Sequence, residues 1–208
     1  MTLHPRPDAP AHAAPARTER QRARRRRILD ATTRLAAAGG FDAVQMREVA
    51  ESAEVALGTL YRYFPSKIHL LLAVLQDQLG QLHATLSERP LTERDPAERL
   101  VHTLKRAFRS HRREPRLAEA MMRALQFADA SARDEVGAVF RLTTELLVDA
   151  SGLSETQAAA HVSAIRVIRH TWHATLLYWL SGNISLTEAH TDVETACRLV
   201  AGAPSPPP

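Results

Sequence analysis

Leu72, Leu75, Leu79, Leu82 and Leu86 recur at alternating spacings of three and four residues. Only an α-helix returns side chains to one face with that rhythm, which here lasts for about five turns. Leu100, Leu104 and Phe108 repeat it, as do Leu117, Met121 and Leu125, and again Ile165, Ile168, Trp172 and Leu176. No stretch alternates apolar and polar residues over more than a few positions, so strands have nowhere to form. The expectation is an all-α chain of about nine helices. The first spans residues 19–38 and stops at Gly39-Gly40, a ready C-terminal cap, with Ile28, Thr32, Leu35 and Ala36 as its stripe. Short helices follow at 46–53 and 57–63, and Ser66 is expected to cap the next. Pro90, Pro96 and Pro115 punctuate two more, and the last three are expected over 131–150, 154–180 and 186–200.

Apolar residues make up 45% of the 208 positions and charged ones 24%, an ordinary globular composition that excludes wholesale disorder. The net charge of +4 is unevenly placed. Residues 1–67 hold 12 Lys+Arg against 7 Asp+Glu, whereas 68–208 hold 15 against 16. All the positive excess therefore sits in the first third, as expected of a module that meets a polyanion, or of a merely solubilising tail. Residues 1–18, with Pro5, Pro7, Pro10 and Pro15, are expected to be a disordered tail, and 203–208 another. Between them lie an expected DNA-binding domain at 19–67 and a larger domain at 68–202. The single cysteine, Cys197, excludes a disulfide framework and reads as a small buried hydrophobe. The longest apolar run, Leu70–Leu75, is far below the ~20 residues that span a bilayer, and no apolar leader precedes it. A cytoplasmic location with no membrane partner is the expectation.

Residues 46–64 give two helices of about two turns joined by a tight turn. Met46, Val49, Ala50 and Ala53 can pack the first, and Val55 and Leu60 the second against it. This is the pattern of a helix-turn-helix, whose second helix enters the DNA major groove. Gly58 lets the backbone approach DNA, and Thr59 offers a hydroxyl and a methyl. Tyr61 and Tyr63 carry phenolic hydroxyls suited to phosphates, although aromatic residues on a short helix also pack in cores. Lys67 opens the next helix, where its ammonium and the helix-terminal N–H groups favour an anion. Gln45, Arg47 and Leu57 complete the candidate DNA-binding set, and Phe64 is expected in the core. Arg22 and Arg24–Arg27 read either as a grip on flanking phosphates or as a solvated face.

The run from Met46 to Lys67, above all Gly58-Thr-Leu-Tyr-Arg-Tyr-Phe-Pro-Ser-Lys67, resembles the DNA-binding segment of TetR-type transcriptional repressors. The resemblance implies a C-terminal bundle that dimerises through the last two helices and encloses an effector pocket. Two positions depart from the family pattern: Glu54 stands at the usual turn glycine, and Ala56 at the usual Ser or Thr cap. Residues 123–131, the Ala56-x-Gly58 variant and Pro65-Ser-Lys-x-His-Leu-Leu71 are similar to the branch that represses sterol catabolism. That likeness implies a coenzyme A thioester as inducer, whose phosphates Arg106, Arg109, Arg112, Arg113 and Arg116 could meet.

The larger domain carries no catalytic motif, so no enzyme and no cofactor is expected. His170 and His173 are three apart, but no carboxylate or cysteine joins them at ligand spacing, and no metal is expected. The pocket candidates are Leu104, Phe108, Met121, Met122, Leu125, Phe127, Phe140, Trp172 and Leu176, any of which can equally be plain core. Their faces carry few polar groups, which favours a lipid-like effector. A homodimer on a palindromic double-stranded operator, released by a small apolar effector, is the reading. The alternatives are a regulator of drug efflux or fatty-acid metabolism, and a helical lipid-binding enzyme.

Overall fold

The computed structural model describes residues 13–88 and 91–201, with side chains from 19 to 199. Among them are ten α-helices and one short 3-10 turn, Ala130–Ala132. The expected tail segments at 1–12 and 203–208 lie outside the described residues. Helix α1, Ala13–Ala43, begins six residues before the expected start at 19. Ala13, Ala14 and Ala16 favour helix, and Pro15 sits in the first turn, where its missing N–H has no intrahelical partner to lose. At Gly40 α1 breaks, with φ 73° and ψ −161°, a conformation open to glycine. Ile28, Thr32 and Ala36 of the expected stripe are buried there and Leu35 half-buried.

Helices α2, Met46–Ser52, and α3, Leu57–Tyr63, are joined by a turn whose hydrogen bonds define its shape. Val55 N–H donates to Ala50 O at 3.0 Å and Glu54 N–H to Glu51 O at 3.1 Å. This is the double closure that normally ends a helix on glycine. Glu54 occupies the glycine position at φ 54°, the only non-glycine residue with positive φ among those described. A left-handed L-residue costs about 1–2 kcal/mol, partly offset because glycine loses more entropy on folding. Glu54→Gly is therefore expected to raise stability by about 0.5–1 kcal/mol, a rise of a few degrees in Tm. A fall in Tm in a thermal melt would overturn the strain argument. Ala56, at the start of α3, makes no side-chain cap bond.

Helix α4, Lys67–Glu88, leaves the helix-turn-helix and enters the bundle. The hydroxyl of Ser66 lies 2.9 Å from His69 Nδ1, so it engages this ring. His69 Nε2–H in turn donates to Ser131 O at 3.2 Å, which ties the head of α4 to the link after α6. Helices α5, Pro96–Arg113, α6, Pro115–Gln126, and α7, Arg133–Ser151, surround the far half of α4. Asp95 caps α5, with Pro96 at its first position.

The expected single helix over 154–180 is two: α8, Glu155–Ala160, and α9, Val162–Leu180. Their junction residue, His161, has φ −103° and ψ 10°, and its ring bonds the Gln157 carbonyl at 2.8 Å. This split makes the helix count ten rather than nine. Helix α10, Leu186–Ala201, packs on α9 and α5. Along α9, Ile165, Ile168, Trp172 and Leu176 are buried, while Val162 faces outward. Cys197 is fully buried on α10, and burial pushes its thiol up to about 12. One continuous core links all these elements.

Candidate nucleic-acid interface and ligand cavity

The outer face of α3 presents Gly58, Tyr61 and Arg62, with Leu57 and Thr59 half-buried beside them. Arg62 was not among the sequence candidates, although its exposure beside Tyr61 makes it part of this face. Tyr61 is 48% exposed, whereas Tyr63 is half-buried with its ring 6.3 Å from that of Phe64. Gln45 and Arg47 are exposed at the start of α2, and the Gln45 amide donates to Asp42 O at 2.9 Å. Lys67 folds back onto α1. Its ammonium lies 4.1 Å from the Phe41 ring centroid and donates to Phe41 O at 3.4 Å.

The arginine run has acquired specific tasks. Arg27 donates to Ala53 O at 3.2 Å and so satisfies the end of α2, while Arg25 lies 5.9 Å from the Phe64 ring and Arg26 pairs with Asp30 at 3.3 Å. Arg34, one turn further on, reaches Ser52 at 3.1 Å. These contacts fix α1 to the helix-turn-helix, a role that charge alone did not show.

Within the bundle a narrow chamber of about 70 Å³ is walled by α4, α5, α6, α7 and α9. Leu75, Leu79, Leu104, Met122, Leu146 and Leu176 make most of its wall apolar. Gln78, Leu82, Ser110 and His111 border both this chamber and an outer cleft of about 560 Å³. Arg106, Arg109, Arg113 and His102 line that cleft, with Glu114 as its carboxylate. An apolar chamber thus opens through a polar neck into a cationic vestibule. Of the five arginines considered from the sequence, Arg112 is not on the cleft wall, and Arg116 donates to Ala38 O at the end of α1.

Five of the nine sequence candidates line these spaces: Leu104, Met122, Trp172 and Leu176 the chamber, and Met121 the cleft. Phe108 stands behind the wall, its ring 4.6 Å from that of Trp172 and 5.7 Å from that of Trp179. Leu125 packs against the core without lining either space, and Phe140 packs under Arg169 at 4.6 Å. Phe127 is 56% exposed and lies at the α1–α6 junction, 6.0 Å from the Phe41 ring.

His111 and His173 were passed over as packing or solvent-facing groups, and both line the chamber. Burial brings each imidazole down to about 4, helped at His173 by the nearby charge of Arg169. Both rings are neutral at pH 7. His170 Nε2 accepts from Arg169 at 3.0 Å, so the two histidines three apart have separate surroundings. Among the described residues no group of three or more His, Cys, Asp or Glu could hold a metal. No helix among them is long and apolar enough to cross a membrane.

Two helices link cavity and head. Helix α4 runs from Lys67, beside α3, to Leu79 in the chamber wall, about 18 Å along its axis. Helix α6 turns Met121 and Met122 to the cavities, and Arg123 to α1. Arg123 lies 4.7 Å from the Phe41 ring and 3.2 Å from the Asp42 carboxylate. Phe41 is thereby clasped between Lys67 and Arg123, one cation from each part of the molecule.

A helix-turn-helix head on a helical bundle with an internal cavity defines a ligand-responsive DNA-binding regulator. Residues 28–74 match the family description "Bacterial regulatory proteins, tetR family", and residues 94–200 match "Tetracyclin repressor-like, C-terminal domain". The chain belongs to the TetR family and is a transcriptional repressor of that type, not an enzyme. It is 43% identical over 191 residues to the HTH-type transcriptional repressor KstR of Mycolicibacterium smegmatis, covering 91% of this chain and 93% of that one. The protein of the same name from Mycobacterium tuberculosis is 42% identical over 186 residues, covering 89% and 84%. Among solved structures, a TetR transcriptional regulator from Rhodococcus sp. RHA1 superposes with a TM-score of 0.81 at 35% identity, over 87% of this chain and 97% of that one. The FadR regulator of Bacillus subtilis, solved with stearoyl-CoA, shares the fold at 19% identity, with a TM-score of 0.62 over 85% and 97%.

Proposed function

We propose that two copies of the chain bind a palindromic operator and that an amphipathic effector, a coenzyme A thioester of a sterol or other lipid acid, releases them. The observation that carries the effector reading is the joined cavity, apolar inside and arginine-lined outside. Such a space suits a ligand with a long apolar body and a polyanionic head. No carboxylate lines the inner chamber, which disfavours a cationic drug.

On the DNA side, Leu57, Gly58, Thr59 and Tyr61 read the groove, while Gln45, Arg47, Tyr63 and Lys67 position the head on phosphates. One short helix contacts too few bases for a genomic site, so a two-fold pair is needed, its reading helices about 34 Å apart. Val167 and Tyr178 on α9 and Leu199 on α10 are large apolar residues more than half exposed, and they supply a face for the second copy. The protein works in the cytoplasm, where its DNA and effector are found.

At 70 Å³ the chamber is smaller than the ~300 Å³ at the low end of ligand sites. An effector must therefore part its walls. Because α4 and α6 are walls at one end and supports of the head at the other, the opened state differs at the DNA face. Release follows from that difference in DNA affinity between the two states.

The test is a shift assay with fragments of the source genome at moderate salt, followed by addition of steroid-acid or fatty-acid coenzyme A thioesters. Specific retention of a palindrome-bearing fragment, lost on adding a thioester, is expected. Retention without selectivity would overturn the operator assignment, and retention indifferent to every thioester the effector assignment.

A further inference from the structure

Thr103 and Thr143 face the chamber, but their hydroxyls are already committed to Arg99 O at 2.9 Å and Val139 O at 2.8 Å. His111 and His173 are different. Among the described residues neither imidazole has a hydrogen-bond partner, and both line the chamber. Each is braced by an aromatic ring, with His111 6.1 Å from Trp172 and His173 5.7 Å from Phe140. His111 stands at the neck, while His173 borders the chamber and not the cleft.

We propose that His111 and His173 form a reading point for a carbonyl or hydroxyl oxygen on the buried body of the effector, remote from its anionic head. This rests on the effector reading above. A neutral imidazole offers one donor and one acceptor, so the pair serves a ketone or an alcohol equally well. Burial keeps both rings neutral at pH 7, so they have no charge with which to draw a carboxylate into the chamber. A saturated chain filling the chamber would strip both rings of any remaining water and give nothing back. A body with one well-placed oxygen avoids that loss. The chamber therefore selects oxygenated lipids over plain hydrocarbon tails of the same bulk, by about tenfold or more.

The experiment is calorimetric titration of the full chain with two steroid-acid coenzyme A thioesters, one with a ring ketone and one with a methylene in its place. The wild-type chain is expected to prefer the ketone by about tenfold or more. His173→Leu should bring the two within about twofold of each other and leave the methylene compound bound at least as tightly. His173→Asn, which keeps a donor, should retain part of the preference. Equal wild-type affinity for the pair would overturn the reading point while leaving the effector class standing. An equal loss of both thioesters in His173→Leu would also overturn it, because that is the signature of mere packing. If neither thioester binds the wild type, the effector reading falls along with it.

Discussion

Gly58→Leu is expected to weaken operator binding at least about 100-fold, close to 3 kcal/mol, while leaving the protein as stable as before or slightly more so. The two effects have separate causes. Gly58 lies in helical backbone on the exposed face of α3, and a Cβ built there meets no atom within 4 Å. Within the chain the new side chain therefore costs nothing sterically, and removing glycine from a helix gains up to about 1 kcal/mol. On the DNA side, the same position is where bare backbone closes on the groove, and four added carbons hold α3 away from it. Gly58→Ala should show a smaller loss. Fluorescence anisotropy with the operator duplex, alongside a thermal melt, reads both effects. Unchanged affinity would mean that another face of the head meets DNA.

Replacing Arg106, Arg109 and Arg113 together by glutamine is expected to reduce effector potency about 100-fold and to leave operator affinity without effector unchanged. Their guanidinium groups line the outer cleft and are not neutralised by equal numbers of carboxylates there. Each solvent-screened contact to a phosphate contributes about 1 kcal/mol, and three give about two orders of magnitude. Potency is measured as the thioester concentration that releases half the bound duplex. If the triple variant responds like the wild type, the anionic head lies elsewhere. If it loses operator binding as well, the cleft is part of the DNA face and not a separate vestibule.

How much of this was legible in the sequence differs from element to element. The helix-turn-helix was almost fully legible, because Gly58, the tight turn and the stripe Val49–Ala50–Ala53–Leu60 are local demands met within twenty residues. Helix α4 was legible from its leucines alone. The break at His161 was not, since Ala158–Ala160 favour helix and the interruption comes from a side chain bonding its own backbone. The cavity was half legible. Periodicity reports which face of a helix is covered, but not which neighbour stands away from it and leaves a void. Hence Met122 and Leu176 reach the chamber while Phe108, equally apolar and equally buried, closes the wall behind it. Phe127 misled for a related reason. An aromatic residue near the end of α6 reads as core, yet its ring packs at a junction with α1 that sequence spacing does not reveal. The histidines were missed because a polar residue on an apolar face has no periodicity of its own.

The narrowness of the chamber has a consequence for the gene control that the repressor exerts. Whatever enters must first bear the cost of opening the walls, so the dose at which transcription starts is set by two quantities that vary independently: how well the ligand fits, and how rarely the empty protein opens. The second depends on ordinary packing among residues such as Leu79, Leu146 and Val139. A lineage can thus reset the threshold of its genetic switch by exchanging one methyl group in the bundle, while the operator and the chemical signal stay the same.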